Sequence, residues 1–248
     1  MPISPGKDLN CWLDAGLSFF YPECCQFCGA NRAGPADGYI CAGCWKNVRF
    51  IQPPFCERCG LPYEGDITTP FECSNCREME LHFCWARSSV AARGMLLEIV
   101  HRYKYYRALW FEPFLADLLL RQALSALRAE TWDLIMPVPL HPLKKSEREF
   151  NQAERLALHL SQVTQIPLNA HALQRVVPTK TQTMLSRRER AANVRQAFVL
   201  RHRDGLSGKR IVLVDDVLTT GATASACAKV LLAAGVERVA VWTLARGI

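Results

Sequence analysis

Two neighbouring carboxylates, Asp215 and Asp216, stand between an aliphatic, β-branched run and a stretch of small and hydroxyl residues at 219–223. The run at 209–214 predicts a buried strand, and the apolar spacing of residues 222–234 predicts a helix directly after the small residues. In open α/β sheets, ligands bind at the carboxyl ends of such strands. Small residues at a helix start let backbone N–H groups close around a phosphate, and the helix dipole adds attraction. The carboxylates in turn suit hydroxyl donors or a Mg²⁺, so the pattern favours a ribose 5-phosphate over a turn with two solvent-exposed acids.

Eight of the twelve cysteines form four C-x-x-C pairs, and this spacing predicts metal ligands. The pairs are Cys25/Cys28, Cys41/Cys44, Cys56/Cys59 and Cys73/Cys76. Two thiolates separated by two residues can occupy two corners of a tetrahedron, and a second pair completes it. Because disulfides are disfavoured in a reducing compartment, we predict two structural Zn²⁺ sites of four cysteines each, rather than buried cysteines or a redox pair.

Other residues near these pairs could compete as ligands or assist the turns. Cys24 precedes the first pair, and His82 and Cys84 follow the last one, but the regular spacing favours the eight paired cysteines. Gly29 and Gly60 each follow the second cysteine of a pair, where a residue that is free to adopt a positive φ eases a tight turn.

The charge is distributed unevenly over the 248 residues, whose formal net charge is +7. Residues 1–84 carry six basic and ten acidic residues, a formal −4 to which two tetrathiolate zinc sites would add. This segment is therefore a poor candidate for binding the phosphate backbone of a nucleic acid by itself. Residues 175–210 carry ten basic and two acidic residues, a formal +8. Such a run can be a solvated face, but its density favours an anionic ligand or a nucleic acid as partner.

Half of the residues are hydrophobic and 21% are charged, an ordinary globular composition that excludes disordered and collagen-like classes. No apolar run reaches the ~18 residues of a membrane helix. The N-terminal stretch has Lys7 followed by Asp8 and Asp14, whereas a signal peptide needs several positive charges and an uninterrupted apolar region. The sequence therefore predicts a cytoplasmic protein without membrane insertion.

Apolar periodicity predicts the elements that position these residues. Helices are expected at 8–20, 93–128, 147–163 and 222–234, and strands at 134–138, 197–200, 209–214 and 239–244. Strands that alternate with helices imply an α/β fold with a doubly wound, mostly parallel sheet. Because the stretch 24–80 has too few apolar side chains for its own core, metal would supply its folding energy. We therefore predict a helix and double zinc ribbon in residues 1–84 and an α/β domain in residues 85–248, with Cys11 and Cys227 as small core residues.

The stretch from Val212 to Thr223 resembles the signature by which type I phosphoribosyltransferases bind 5-phosphoribosyl 1-pyrophosphate (PRPP). Further matching motifs are the four cysteine pairs, Pro137-Val138-Pro139, Arg148 with Phe150-Asn151-Gln152-Ala153, and spaced residues from Lys180 to Phe198. On these motifs the chain resembles the ComF/GntX family from about residue 17 onward. That family consists of bacterial cytosolic proteins with a double zinc ribbon and a phosphoribosyltransferase-like domain, associated with natural competence and the use of extracellular DNA. Glu149 departs from the pattern, since the family usually has glycine there, and this predicts a reshaped loop.

The resemblance implies a role for each part of the α/β domain. Asp215 and Asp216 would be the catalytic carboxylates that hold the ribose hydroxyls, directly or through Mg²⁺. The 5′-phosphate would lie in the loop formed by Thr219, Thr220, Gly221, Ala222 and Thr223. The pyrophosphate would face Lys144, Lys145 and Arg148, under a hood that carries Lys180, Arg187, Arg188 and Arg190. Closure of such a hood excludes water from C1 and brings cations to the leaving group. Lys104 matches a family lysine, for which an ordinary surface lysine is the alternative.

Three functions are consistent with these residues. The chain is a Mg²⁺-dependent phosphoribosyltransferase whose acceptor the sequence does not name, a PRPP-sensing module without turnover, or an accessory protein that handles single-stranded DNA or contacts a DNA-uptake protein. The intact Asp215-Asp216 pair and the complete loop weigh against the third. Enzymes of this fold that salvage 6-oxopurines often carry a carboxylate where Thr219 stands, so that acceptor class is disfavoured.

Overall fold

A computed structural model describes residues 23–65, 73–177 and 197–248. Its strands are β1 (Ala86–Ala91), β2 (Leu134–Pro137), β3 (Leu173–Arg175), β4 (Phe198–Leu200), β5 (Arg210–Leu218) and β6 (Arg238–Arg246). Its α-helices are α1 (Ala42–Trp45), α2 (Ser74–Glu78), α3 (Gly94–Tyr105), α4 (Glu112–Arg128), α5 (Pro142–Arg148), α6 (Gln152–Thr164) and α7 (Ala222–Leu232). Short 3₁₀ turns lie at Pro35–Asp37 and Leu109–Phe111. The helix expected at 8–20, with Cys11, falls outside the described residues. Within the described ranges, no helix has the length and apolar character needed to cross a membrane.

Strands β1, β6, β5 and β2 form, in this order, a four-stranded parallel sheet. Side chains alternate between the faces of β5, so Ile211 and Leu213 join one core and Val212 and Val214 join the other. Helix α7 covers the first face, and α4 and α6 cover the second. Burial on both faces explains the continuous apolar run at the centre of β5, Ile211 to Val214. The prediction of a doubly wound, mostly parallel α/β fold is confirmed.

The observed strands differ from the prediction in several ways. Strand β3 was not predicted, and β5 continues beyond the expected 209–214 to Leu218, so that Asp215 and Asp216 lie within it. The strand expected at 197–200 is β4, but it pairs antiparallel with β3 in a separate two-stranded sheet. Strand β1 was not predicted, because Ser88 and Ser89 make it look polar. Both serines are nevertheless buried, since the Ser88 hydroxyl forms a 2.6 Å hydrogen bond with the Thr243 hydroxyl and the Trp242 indole N–H donates to Ser89 Oγ at 3.2 Å.

Two of the predicted helices are interrupted. The region 93–128 forms α3 and α4, with a 3₁₀ turn between them, and the region 147–163 contains the end of α5 and most of α6. The second break occurs at Glu149, whose φ of +66° lies in the left-handed region that glycine adopts readily. Glu149 therefore forms a turn that favours glycine, and its carboxylate accepts from Arg107 Nη1 at 2.6 Å.

The cysteine-rich segments pack on the two faces of the sheet domain. Residues 23–51 contribute to the core on the α4 face, where the rings of Trp45 and Phe114 meet edge to face at 5.2 Å. Residues 56–61 and 73–83 contribute to the core on the α7 face. The division of the chain between residues 84 and 85 stays a prediction, and cysteines from both segments share the hydrophobic cores of the sheet.

A buried carboxylate joins three helices beside the carboxyl end of the sheet. Glu112 of α4 accepts from the Tyr103 hydroxyl of α3 at 3.0 Å and from Arg155 Nε of α6 at 2.6 Å, and it contacts His159 Nε2 at 2.8 Å. Burial alone would raise the pKa of Glu112, but these three partners outweigh it and lower the pKa to about 2. The cluster fixes the end of α3, which carries Lys104.

We expect Glu112→Gln to lower the free energy of unfolding by about 2 kcal/mol at neutral pH, because charge-assisted hydrogen bonds to a buried group are lost. The folded-state pKa lies below the ordinary 4.5, so the carboxylate stabilises the fold above that pH and ceases to do so as the pH falls toward 2. Denaturant titrations of parent and variant at several pH values test this. The difference in stability should shrink on acidification, and a difference that stays constant would contradict the role of the charge.

Candidate functional site

The eight predicted cysteines gather into two clusters of four: Cys25, Cys28, Cys41 and Cys44, and Cys56, Cys59, Cys73 and Cys76. In the first cluster, two sulfur pairs lie 3.7 and 3.8 Å apart. In the second cluster, three pairs lie 3.7, 3.3 and 3.6 Å apart. Sulfurs at the corners of a tetrahedron with Zn–S distances of ~2.3 Å lie about 3.8 Å from one another. The sulfur spacing therefore fits one Zn²⁺ in each cluster.

The ionisation of the thiols supports the same assignment. Backbone N–H groups, chiefly that of Ala30, lower the pKa of Cys28 to about 6. Burial and the neighbouring cysteines instead raise the pKa of Cys44 and of Cys76. Because each cluster also contains thiols that resist ionisation, four thiolates need a cation between them, and Zn²⁺ supplies it.

The alternative ligands lie outside both clusters. Cys84 Sγ accepts from Arg238 Nε at 3.3 Å, and His82 Nε2 lies 3.9 Å from Glu80, whereas Cys24 is only half-buried and joins neither group. The two turn glycines behave as predicted, with positive φ values of 69° and 66°. Cys227 is fully buried in α7, so its prediction as a core residue is confirmed.

We expect the purified protein to contain two zinc ions per chain when it is prepared under reducing, chelator-free conditions, because both cysteine clusters have the geometry of a tetrathiolate site. Elemental analysis measures the stoichiometry. Replacing Cys41 or Cys73 with serine should reduce the content to one ion, and a parent protein with one ion or none would contradict the assignment.

The small residues after β5 form a tight loop that leads into α7. Gly221 precedes the helix with a φ of +85°, and a Cβ atom there would lie 3.3 Å from the Phe83 ring. The positive φ therefore favours glycine, and the Phe83 ring leaves little room for a side chain. The first N–H groups of a helix have no partner within the helix itself, so this loop and helix start can offer donors and a favourable dipole to an anion. All residues of 219–223 line a pocket of about 490 Å³.

The two carboxylates line the same pocket, where α3 meets them. Asp216 Oδ2 forms an ion pair with Lys104 Nζ at 2.8 Å, and the two side chains are only 14% and 17% exposed. The alternative that Lys104 is an ordinary surface lysine is therefore wrong. Burial, and then the charge of Asp216, raise the pKa of Asp215 to about 7, although Lys104 opposes the shift. A hydroxyl donor or a metal ion would relieve this crowding of negative charge.

Three further cations line the pocket: Lys144 and Arg148 of α5, and Arg175 of β3. Burial, followed by the positive charges of Arg175 and Arg148, lowers the pKa of Lys144. Cations close enough to lower the pKa of Lys144 in this way form a site for an anion. Lys145 was expected beside them, but it pairs with Glu154 at 3.3 Å and lines a neighbouring cavity instead, because adjacent helical residues point in different directions.

Sequence reasoning had not assigned Arg175 or Gln152 to the site. Gln152 is 1% exposed and lines the pocket, and its Oε1 accepts from Arg148 Nη1 at 3.1 Å. Its Nε2 has no hydrogen-bond partner in the part of the chain that the structure describes. Asn151 caps α6 and donates from Nδ2 to the carbonyl of Val138 at 3.1 Å, which fixes the start of the helix. The motif Phe150-Asn151-Gln152-Ala153 was the sequence feature that pointed to Gln152. In the structure, Asn151 caps the helix and Gln152 lines the pocket.

The other predicted cations, Lys180, Arg187, Arg188 and Arg190, lie outside the described residues, as does most of the basic window 175–210. Their assignment to a hood over the pyrophosphate stays a prediction.

Comparison with family models identifies both parts of the chain. Residues 16–78 match a double zinc ribbon domain, and residues 152–248 match a phosphoribosyl transferase domain. The first range contains all eight clustered cysteines, and the second contains the carboxylate pair and the small-residue loop.

Three relatives match along most of their length. Competence protein F of Haemophilus influenzae is 33% identical over 238 residues, which cover 93% of this chain and 99% of that protein. DNA utilization protein YhgH of Salmonella typhi is 34% identical over 91% of this chain and 97% of its own, and competence protein ComFC of Bacillus subtilis is 26% identical over 80% of each. With its double zinc ribbon, its phosphoribosyl transferase domain and this near-complete match, the chain belongs to the ComF family of competence protein F and DNA utilization protein YhgH.

Proposed function

We propose that this protein binds PRPP together with Mg²⁺ and transfers its phosphoribosyl group to an acceptor. The observation that carries the proposal is that one pocket of about 490 Å³ is lined by a small-residue loop at a helix start, an adjacent carboxylate pair and a group of cations. PRPP carries a 5′-phosphate, two ribose hydroxyls and a pyrophosphate on C1. Each of these parts has a matching group in the pocket.

The loop and the carboxylates suit the ribose 5-phosphate. The N–H groups of the loop would hold the phosphate, and Asp215 and Asp216 would accept hydrogen bonds from the ribose hydroxyls. Lys104 would stay close to the carboxylates, since its ion pair with Asp216 is largely buried. It would keep them charged and correctly oriented while the sugar is bound.

The cations suit the pyrophosphate. In the transfer, the bond between C1 and the pyrophosphate oxygen breaks, its electron pair leaves with the pyrophosphate, and the acceptor forms the new bond to C1. Negative charge therefore grows on the leaving group, where Lys144, Arg148 and Arg175 would stabilise it. The Nε2 of Gln152, which has no hydrogen-bond partner among the described residues, would add a hydrogen bond to the same group.

The residues present also fit a Mg²⁺ ion bound together with the substrate. Magnesium prefers carboxylate, phosphate and water oxygens, and Asp215 and Asp216 are the carboxylates that line the pocket. The ion would neutralise charge on the pyrophosphate as it leaves.

The names of the relatives connect this activity with DNA. Competence protein F and DNA utilization protein YhgH are named for competence and for the use of DNA, and we propose that this chain acts in the same process. A direct role on DNA would require the basic window 175–210. In that case binding of a single-stranded oligonucleotide should weaken steeply as salt increases, and a flat salt dependence would contradict direct binding.

A second candidate is a PRPP-sensing module without turnover. The observation that favours it is the ion pair between Lys104 and Asp216, because a lysine already occupies one of the two carboxylates that a magnesium ion would use. Such a site could bind PRPP and report its concentration without transferring the phosphoribosyl group.

Release of pyrophosphate distinguishes transfer from sensing. The protein would be incubated with PRPP, Mg²⁺ and one class of acceptor at a time: nucleobases, amines, or single-stranded oligonucleotides. Release that requires one class and disappears in the Asp215→Asn/Asp216→Asn variant supports a transferase. PRPP binding without release from any class favours sensing, and absence of PRPP binding contradicts both.

A further inference from the structure

We propose that the second cysteine cluster, Cys56 to Cys76, forms the floor of the phosphate-binding loop, and that Asn75 and Arg246 are positioning residues that connect them. The inference rests on the proposed function, because it requires the loop at 219–223 to bind a phosphate. It assigns to one of the two zinc sites a part in ligand binding, in addition to its part in folding.

Arg246, at the end of β6, provides the first connection. It is 1% exposed, yet no carboxylate within the described ranges forms an ion pair with it. Its Nη1 donates to the carbonyl of Leu218 at 2.9 Å and to that of Thr219, and its Nη2 lies 3.9 Å from Cys59 Sγ. A buried guanidinium needs negative charge nearby, and four thiolates around one Zn²⁺ carry a formal −2. The zinc cluster is therefore the counter-ion that keeps Arg246 buried under the loop.

Asn75 provides the second connection. It lies between Cys73 and Cys76, is 4% exposed, and donates from Nδ2 to the carbonyl of Thr220 at 3.0 Å. Since both neighbouring cysteines are metal ligands of one turn, coordination fixes the backbone that carries Asn75.

The chain that follows the cluster supports the same loop from below. Leu81 and Phe83 lie 3.5 and 3.3 Å from the position that a Cβ atom of Gly221 would take. Ser225 in the first turn of α7 donates to the carbonyl of Glu80 at 3.1 Å and accepts from the backbone N–H of His82 at 3.0 Å. The start of α7 is therefore joined to this segment by polar and apolar contacts.

Because of the geometry of the peptide bond, these contacts to the loop carbonyls orient the N–H groups that would bind a phosphate. In a trans peptide, the C=O of one residue and the N–H of the next point in opposite directions. The carbonyls of Leu218, Thr219 and Thr220 are all held from the side of the cluster. The N–H groups of residues 219, 220 and 221 therefore face away from it, toward the pocket that these residues line. Successive N–H groups with one orientation form an anion site.

The first cysteine cluster offers a matched comparison. It packs on the opposite face of the sheet, in the core with α4. Asn31 Nδ2 lies 3.9 Å from Cys28 Sγ, so Asn31 is also an asparagine beside a zinc ligand, but an exposed one. Asn31→Ala is therefore the control for Asn75→Ala.

The test measures the dissociation constant for ribose 5-phosphate by calorimetry, together with zinc content, for the parent and the variants. Ribose 5-phosphate is the probe because it needs the loop and not the pyrophosphate site. We expect Asn75→Ala to raise the dissociation constant about fivefold, and Arg246→Lys about tenfold, while zinc stays at two ions per chain. Asn31→Ala should leave both values unchanged. Cys59→Ser should lose one zinc ion and weaken binding at least as much as Arg246→Lys.

The outcomes separate this inference from the function on which it rests. If the parent binds ribose 5-phosphate and Asn75→Ala binds it within about twofold of the parent, the positioning role is wrong and the function stands. If the parent does not bind it, both are wrong. If Arg246→Lys or Cys59→Ser fails to fold, Asn75→Ala decides alone, because it removes one neutral hydrogen bond and no charge.

Discussion

Mg²⁺ and PRPP are expected to raise the melting temperature of the protein by about 5–10 °C, and Asp215→Asn/Asp216→Asn is expected to abolish the shift. A ligand that binds only the folded state stabilises it by about 2.7 kcal/mol at ~100 times its dissociation constant. For a domain of roughly 150 residues, this corresponds to the stated shift. The double substitution keeps the shape of both side chains but weakens the acceptors for the ribose hydroxyls and for magnesium. Thermal unfolding with and without ligand is the measurement.

The apo form of this variant serves as its own folding control. The pKa of Asp215 is raised to about 7 in the folded protein, chiefly by burial, whereas in the unfolded chain it returns toward 3.8. A raised carboxyl pKa means that the folded state loses stability as the pH rises from about 4 to 7, and that the loss is complete above 7. Above neutral pH, removal of the buried Asp215 charge stabilises the apo variant, whereas loss of the ion pair between Asp216 and Lys104 opposes this gain. The apo variant should therefore unfold close to the temperature of the parent.

Two results would contradict the pocket assignment. The first is a parent that shows no shift with millimolar PRPP and Mg²⁺, and the second is a variant that retains the shift of the parent. Zinc content should remain at two ions in both proteins, which separates a lost ligand site from a damaged zinc ribbon. Either contradicting result would favour the third function, an accessory protein that handles single-stranded DNA, over PRPP binding.

Replacing the two α5 cations, as Lys144→Met/Arg148→Met, is expected to weaken PRPP binding by about a hundredfold while ribose 5-phosphate binding changes little. Both side chains line the pocket, and loss of two charge-assisted contacts to pyrophosphate has roughly this effect. Titration calorimetry with the two ligands measures the ratio. The same selectivity is expected for neutral replacements of Lys180, Arg187 and Arg188.

Lys145→Met is the matched control, because Lys145 follows Lys144 in the sequence but pairs with Glu154 outside the pocket. It removes the same charge from the same helix, and PRPP affinity should stay within about twofold of the parent. Equal weakening of both ligands by the α5 double variant would show a general electrostatic effect instead of a pyrophosphate site.

The local sequence determined the features that depend on short spacing. A C-x-x-C turn brings two sulfurs together by itself, so the spacing of the cysteines predicted both clusters and excluded Cys24 and Cys84. In the same way, an apolar run followed by two acids, small residues and a helix specifies a strand, a loop and a helix start. The carboxylates and the phosphate loop could therefore be placed on their elements before any tertiary structure was considered.

Features that depend on distant partners were not predictable in this way. Strand β1 looks polar in the sequence because of its two serines. These serines can be buried only because they find hydrogen-bond partners on β6, more than 150 positions away in the chain. The family resemblance marked Glu149 as a position where glycine is usual, but helical periodicity alone did not predict the break there, which rests on a left-handed backbone conformation.

Tertiary structure also decided which charged side chains belong to the pocket. Lys104 reaches Asp216 from another helix, and Lys144 enters the pocket while Lys145 turns away. From its charge and its position near residue 248, the sequence would place Arg246 on the surface, yet it is buried between the loop and Cys59. The physical reason is that a charge can be buried only where opposite charge or hydrogen bonds compensate it. These partners come from elements distant in the sequence: α3 packs against β5 for Lys104, and the zinc ribbon packs on the sheet for Arg246.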